Sequence, residues 1–314
     1  MSTIFGHSTT GYEVVSAFHS QIQDRACLAV VVTGPTPNGI GASTALSLAR
    51  GNPSAILLVG RSPAKYTQVA DGIRAINPGI KVKTYGVDLG SFASVRAGAA
   101  QLLAENDRID VLINNAGVTS HALEKSADGI ELNFATNHIG HFLFTKLLLP
   151  TLCKSHNPRI VNLTSSTHAF ASGDYDDYNW DNREYVWMQA YAESKLANIH
   201  FTQYLAAHGN GIVALSVHPG TIWGTSIFDT ISEEEHQRAR EYVASLGIKE
   251  KTVEQGASTT LVAALDPALE THNGAYMVDC QVAEFDCEAA RREDLSEKLW
   301  TLSEKLIGEP FRCV

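Results

Sequence analysis

The spacing of short apolar runs restricts this chain most. Runs of strand length fall near residues 27–33, 55–60, 81–87, 109–114, 159–164, 211–217 and 274–279, and most of the intervals between them carry helical patterns. Parallel strands need crossovers of that length, and strands covered on both faces read as nearly unbroken apolar stretches. The pattern predicts an α/β fold: a doubly wound, parallel, seven-stranded sheet of Rossmann type in a single domain. A chain of 314 residues with 44% hydrophobic content suits one large domain with a full core.

Residues 1–26 read as a helical lead-in to a catalytic domain over 27–314. Thr10 and Glu13 have the spacing of a capping box, and Val14, Phe18 and Ile22 share one helical face over residues 10–24. That stripe lacks a basic polar face, so it is expected to pack on the body of the protein. Leu295, Leu299, Leu302 and Leu306 form a second stripe that should dock on the core, with Gly308 ending the helix. Two segments stand outside the alternation and read as substrate loops. They are the aromatic, acidic stretch at 168–190 and the stretch at 222–251, which includes the charged run Glu233–Glu235.

The formal net charge of −10, with no long basic run, argues against nucleic acid or an anionic membrane surface as a partner. Five cysteines with no CxxC pair suggest reduced thiols rather than a disulfide framework or zinc site. No signal-peptide or membrane-spanning pattern is visible, and a cytoplasmic location is expected.

In a doubly wound sheet the first strand-to-helix turn is where a pyrophosphate sits, on N–H groups at a helix N-terminus. Gly34, Gly39 and Gly41 bracket that turn in TGPTPNGIG. At the end of the second strand, Arg61 stands twenty residues after Gly41, where an NAD-preferring site usually has an acidic side chain. An arginine offers a planar fork to a 2′-phosphate instead, which points to NADP(H). Asp88 follows the third strand and is placed to meet the adenine amino group, to cap the helix starting at Ser91, or to do both.

The chemistry rests on Tyr191 and Lys195 in YAESK, with Ser165 upstream in NLTSS. Tyr and Lys four apart on a helix share a face. A free phenol titrates near pH 10, and a nearby ammonium favours the phenolate; about 3–4 kcal/mol of differential stabilisation would bring it into the neutral range. Tyr191 could then exchange a proton with a carbonyl or alcohol oxygen held by Ser165.

TGxxxxGIG, LINNAG at 112–117, NHIGHF at 137–142, NLTSS at 162–166, YAESK at 191–195 and HPG at 218–220 occur in that order. Together they resemble the short-chain dehydrogenase/reductase family over residues 27 to 308. ELNFATNHIGHFLFTKLLLP and YAESKLANIHFTQYLA are similar to its retinol-dehydrogenase-like branch, while the glycine loop and lead-in helix look most like fungal members. The resemblance implies that Tyr191 is the general acid/base, that Lys195 lowers its pKa and holds the nicotinamide ribose, and that Ser165 orients substrate. Asn137 would hold a water in a proton relay. Asn115, Ala116 and Gly117 would lie beside the adenine ribose and Pro219 and Gly220 beside the nicotinamide, with Leu89 and Ile222 completing the cofactor contacts. The family usually has a threonine four residues after that last glycine; here Gly224 takes the place and Thr225 follows.

The family loop is TGxxxGxG, so this one is a residue longer. Pro35 and Pro37 have no N–H to give. The expected donors are the N–H groups of Thr36, Asn38, Gly39 and Ile40 together with the side chains of Thr36 and Asn38, with the extra residue bulging outward at 35–37 and Gly39-Ile40-Gly41 keeping the phosphate contact. His138 and His141 lack a third ligand and read as a packed helix face rather than a metal site. His168 either lines the substrate pocket or has no chemical duty, and Phe170, Trp187, Trp223 and Phe228 are either pocket or core. The expected activity is NADP(H)-dependent interconversion of a carbonyl and an alcohol on a fairly apolar small molecule, by a chain acting alone or as a homo-oligomer. Two alternatives stand beside it: a biosynthetic enzyme coupling reduction to a further step such as cyclisation, and a non-catalytic dinucleotide-binding regulator.

Overall fold

The computed structural model describes residues 4–24, 28–225 and 232–312. Its centre is a sheet of eight strands: β1 (Ala29–Thr33), β2 (Ala55–Gly60), β3 (Lys81–Gly86), β4 (Val111–Asn114), β5 (Arg159–Leu163), β6 (Val213–His218), β7 (Tyr276–Val278) and β8 (Gln281–Ala283). They are ordered β3-β2-β1-β4-β5-β6-β7-β8, and all pairs are parallel except β7 with β8. Strand order reverses between β1 and β4, which is where a doubly wound sheet opens a crevice for its ligand.

The expected parallel core is present, but the count of seven strands is corrected to eight. The missed β8 turns back through Asp279 and Cys280, which have φ of 50° and 65°. Tight hairpins want positive φ at both turn residues, and the usual Asn-Gly or Asp-Gly signal is missing from VDCQ.

Alternation along β1 divides the core in two. Val30 and Val32 join Ile56 and Leu58 on one face, and Val31 joins Leu57 and Val59 on the other. The first face is covered by α1 (Gly11–Ala17), α2 (His19–Asp24), α3 (Ile40–Ala49), α4 (Thr67–Ile76) and α10 (Val253–Leu265). The second is covered by α5 (Phe92–Glu105), α7 (Gly140–Leu152), α8 (Trp187–His208) and α11 (Glu293–Ile307). The short helix α6 (Leu132–Phe134) leads into α7 through a π-helical turn at Ala135–Ile139, and α9 (Glu233–Ser245) is polar and exposed.

At the C-terminus, Trp300 packs edge-on to Phe142 at 4.9 Å between ring centroids, and Gly308 ends α11 at φ 76°. Leu295 and Leu299 are buried there, with Leu302 and Leu306 partly so, as the stripe requires.

The lead-in segment forms two helices rather than one, broken at Phe18, which caps α1. Its capping box forms: the Thr10 hydroxyl accepts from Glu13 N–H, and Glu13 accepts from Thr10 N–H at 2.7 Å. Val14, Phe18 and Ile22 are buried in the same core as α3 and α10. Truncating a buried phenylalanine costs about 3 kcal/mol. Phe18→Ala is therefore expected to lower the urea midpoint of the whole chain in one transition; an early separate transition for the lead-in would contradict its membership of this core.

Candidate active site

The glycine loop leaves β1 at Thr33. Gly34 takes φ +65°, and a Cβ there would sit 2.7 Å from Ala116 Cα; at Gly41 it would meet the Asn115 amide nitrogen at 2.5 Å. Two of the expected phosphate donors are corrected. Thr36 N–H is taken by Gly34 O and Gly39 N–H by Thr36 O, each at 2.9 Å. The additional residue is absorbed in this internal turn, which consumes the donors it spans. Asn38, left-handed at φ 63°, and the start of α3 remain. Gly39 caps α3 with no side-chain hydrogen bond, so the first-turn N–H groups of Ile40, Gly41 and Ala42 have no acceptor within the helix. A glycine-lined helix start with open N–H groups fits a pyrophosphate.

Asn115 fastens this loop. Its Nδ2 donates to Thr33 O at 2.7 Å and to Gly34 O at 3.1 Å. Thr33 Oγ1 accepts from the N–H groups of Asn115 and Ala116 at 2.9 and 3.0 Å. With its lone pairs filled, that hydroxyl gives its proton to His141 Nε2 at 2.9 Å, and His141 Nδ1 donates to Asn137 O at 3.0 Å. Burial pushes His141 down to about 4, which keeps it neutral for both bonds. His138, also fully buried, bonds Ser303 Oγ through Nε2 at 2.8 Å.

Asn137 lies in the π-helical turn. Its Oδ1 accepts from Val118 N–H at 2.8 Å, and its Nδ2 donates to Val118 O and Ser194 Oγ, each at 3.0 Å. The side chain is therefore committed to protein, and only the second lone pair of its carbonyl is open to a water. Gly117 brings the neighbourhood together: a Cβ on it would lie 3.3 Å from Lys195 Nζ and 3.5 Å from Asn137 Oδ1.

The end of β5 is sewn to α8. Thr164 Oγ1 donates to Lys195 O at 2.7 Å, and Asn198 Nδ2 donates to Leu163 O at 2.9 Å. Ser165 Oγ accepts from Thr167 N–H at 3.2 Å, and its hydroxyl lies near enough to the Tyr191 phenol to favour the phenolate. Lys195 Nζ donates to Leu163 O at 3.3 Å and stands 5.5 Å from the Tyr191 ring centre. The expected lowering of the Tyr191 pKa is not what this geometry produces. Burial pushes the phenol up and the Ser165 hydroxyl draws it partly back, while burial pushes Lys195 down to about 8. Both groups lose water, and at that separation desolvation outweighs their attraction.

Beyond β6, Gly220 has φ 94°, and a Cβ there would lie 2.6 Å from Lys251 Cδ. Lys251 is buried and pairs with Asp279 at 2.5 Å. A Cβ on Gly256 of α10 would touch both Ile222 Cδ1 at 2.2 Å and Ile40 Cγ1 at 3.6 Å, so the segment after Pro219 meets the glycine loop. The Thr225 hydroxyl donates to Ile222 O at 3.4 Å.

Arg61 is exposed at the end of β2. Asp88 does not cap α5; its Oδ1 accepts from Gly90 N–H at 3.0 Å, and Ser91 caps the helix. Leu89 is buried, with its carbonyl 2.3 Å from where a Cβ on Gly140 would sit.

His168 is fully buried, and Phe170 is 64% exposed. Trp187 packs on His121 at 4.2 Å and Trp223 on His236 at 5.2 Å, while Phe228 lies outside the described residues.

Sequence reasoning missed Glu193, whose carboxylate accepts from the N–H groups of Ser172 and Gly173 at 2.8 and 3.0 Å and pins the 168–190 loop to α8. An acidic residue inside an otherwise apolar helix face was its signal. Among the described residues no group of three or more His, Cys, Asp or Glu is arranged to hold a metal, and no helix is long and apolar enough to cross a membrane.

The profile of the short chain dehydrogenase family matches residues 28–236. Human retinol dehydrogenase 11 is 38% identical over 284 residues, covering 90% of this chain and 86% of the relative. The chain belongs to the short-chain dehydrogenase/reductase family. Within it the retinol-dehydrogenase-like branch is the one matched, with human retinol dehydrogenase 13 at 35% identity over 89% of this chain and 84% of the relative. Short-chain dehydrogenase TIC 32 A of Brassica napus, a chloroplastic protein, is also 35% identical, over 96% of this chain and 94% of its own length. A crystal structure from Mycobacterium paratuberculosis superposes with a TM-score of 0.69 at 30% identity, over 90% of this chain and 94% of that one. The chain is accordingly a carbonyl/alcohol oxidoreductase of a family that binds a nicotinamide dinucleotide and acts on small molecules.

The depressed Lys195 has a measurable consequence. Between its folded value of about 8 and its ordinary 10.5, the unfolded chain binds a proton that the folded chain does not. Stability therefore gains a contribution that rises with pH across that window. Urea midpoints of wild type relative to Lys195→Met should climb between pH 8 and 10; a flat difference would place the ammonium in a solvated environment.

Proposed function

We propose that the protein is an NADP(H)-dependent reductase of carbonyls on fairly apolar small molecules, with Tyr191 as proton donor. The observation that carries this reading is the gathering of Ser165, Tyr191 and Lys195 at the carboxyl ends of β4 and β5, with Lys195 Nζ 5.5 Å from the Tyr191 ring centre and beside Gly117. Bound nicotinamide supplies hydride to a carbonyl carbon in reduction and takes it back in oxidation. Ser165 holds the carbonyl oxygen, Tyr191 gives it a proton, and Lys195 binds the ribose beside Gly117. Asn115, Ala116, Leu89, Asp88, Pro219, Gly220 and Ile222 form the walls of the cofactor site. Asn38, Ile40 and Gly41, with Gly34 turning the loop beneath them, meet its pyrophosphate.

The phenol is protonated at neutral pH and so has a proton to give in reduction, although burial raises the cost of giving it. Support for an apolar substrate comes from Leu123, Phe170, Val186 and Met188, which are exposed on segments leading into the site. Support for NADP(H) comes from Arg61, an exposed guanidinium with no carboxylate paired to it among the described residues.

Following NADPH absorbance against a panel of aldehydes and ketones tests the reading. Tyr191→Phe should reduce turnover by about 10²–10⁴-fold, the usual contribution of a positioned acid. Turnover that survives the change would refute the proton-donor assignment. Arg61→Ala should weaken NADPH by about tenfold while leaving NADH unaffected, because one charge-assisted pair to the 2′-phosphate is lost. Equal losses for both dinucleotides would remove Arg61 from cofactor choice.

A further inference from the structure

Two histidines outside the Tyr191, Lys195 and Ser165 set close on one peptide group. His168 Nδ1 donates to the carbonyl oxygen of Ser165 at 2.7 Å, and Ser166 N–H donates to His218 Nδ1 at 3.3 Å. That C=O and that N–H belong to the same peptide plane, the one directly after Ser165. A carbonyl can only accept, so His168 carries its proton on Nδ1. A backbone N–H can only donate, so Nδ1 of His218 is bare and its proton sits on Nε2. The two rings arrive from different elements, His168 from the turn Ser166–Phe170 and His218 from the end of β6.

The plane needs such a hold because sheet pairing stops just before it. The last ladder bond on this strand is Thr164 N–H to Val217 O at 2.9 Å, which leaves Ser165 one residue beyond the sheet in extended backbone, φ −149° and ψ 153°. The Ser165 carbonyl has a second partner, His168 N–H at 3.1 Å, whereas His218 is the partner recorded for Ser166 N–H. Rotation of this plane carries Thr167 N–H with it, and that group donates to Ser165 Oγ at 3.2 Å and so sets the direction of the hydroxyl. Burial holds both imidazoles below their ordinary pKa, with Lys251, Asp279 and His168 facing His218, and Asp286 facing His168.

We propose that His168 and His218 are positioning residues that clamp the 165–166 peptide and so aim the Ser165 hydroxyl at the reacting oxygen. The inference rests on the assignment of Ser165 to that oxygen.

The test uses the aldehyde or ketone turned over fastest in the panel. His218→Leu should lower kcat by about 10–100-fold, the cost of a misplaced reacting group, and His168→Leu by less. NADPH affinity, read by fluorescence, should be unchanged. His218→Asn, which returns an acceptor where Nδ1 stood, should restore most of the loss. In a Ser165→Ala background the leucine variants should cause no further loss, because the group they aim is gone. Equal damage from Asn and Leu, or full additivity with Ser165→Ala, would overturn the clamp. A long-range ¹H–¹⁵N spectrum of the wild-type protein gives a reading independent of turnover. It should show His168 protonated on Nδ1 and His218 on Nε2, and the opposite tautomers would overturn the clamp even where Tyr191→Phe is inactive. A fully active Ser165→Ala variant with the expected tautomers would remove the underlying role of Ser165, and the inference with it.

Discussion

The Asn115 amide bridging β1 and β4 is the contact on which the remainder of the site depends. It spans the gap where strand order reverses and holds the carbonyls of Thr33 and Gly34, the two residues at which the chain leaves the sheet for the glycine loop. The β1–β4 ladder ends at Val32 and Ile113, so buried carbonyls just beyond it would otherwise lack partners. The same asparagine crowds Gly41 from beneath, which explains why that position has no room for a side chain. From Thr33 the bonding continues through His141 to Asn137, so the first strand and the π-helical turn are set relative to one another by side chains rather than by backbone pairing.

Desolvation shapes what those positioned groups can do. Tyr191 and Lys195 are both displaced toward their neutral forms, and the geometry that brings them together is the geometry that withdraws them from water. A neutral phenol has a proton to give, and the cost of giving it grows as burial raises its pKa. Beneath Gly220, buried Lys251 has a carboxylate partner in Asp279.

Much of this was legible in the sequence because it repeats or has strict spacing. Apolar runs located the first seven strands, and the Thr10–Glu13 box and the Leu295 stripe located the terminal helices. Tyr191 and Lys195 could be placed on one helix face from their separation alone. What escaped had no periodic signature. β8 has three residues and turns through Asp279 and Cys280, and only Asp279 is of a type common at positive φ. The donors lost from the glycine loop depended on which N–H groups fold back on their own carbonyls, and no pattern of glycine and proline specifies that. The shift of Tyr191 depended on depth of burial, a property of the assembled fold.

The π-helical turn at Ala135–Ile139 adds a further consequence. A regular helix would have to present Asn137 and the core aromatics Phe142 and Phe144 with one angular phase. One surplus residue breaks that phase by about 100°. The polar group facing Ser194 and the apolar stripe facing the sheet can then be tuned separately, so drift in core packing along α7 need not be transmitted to the position of Asn137.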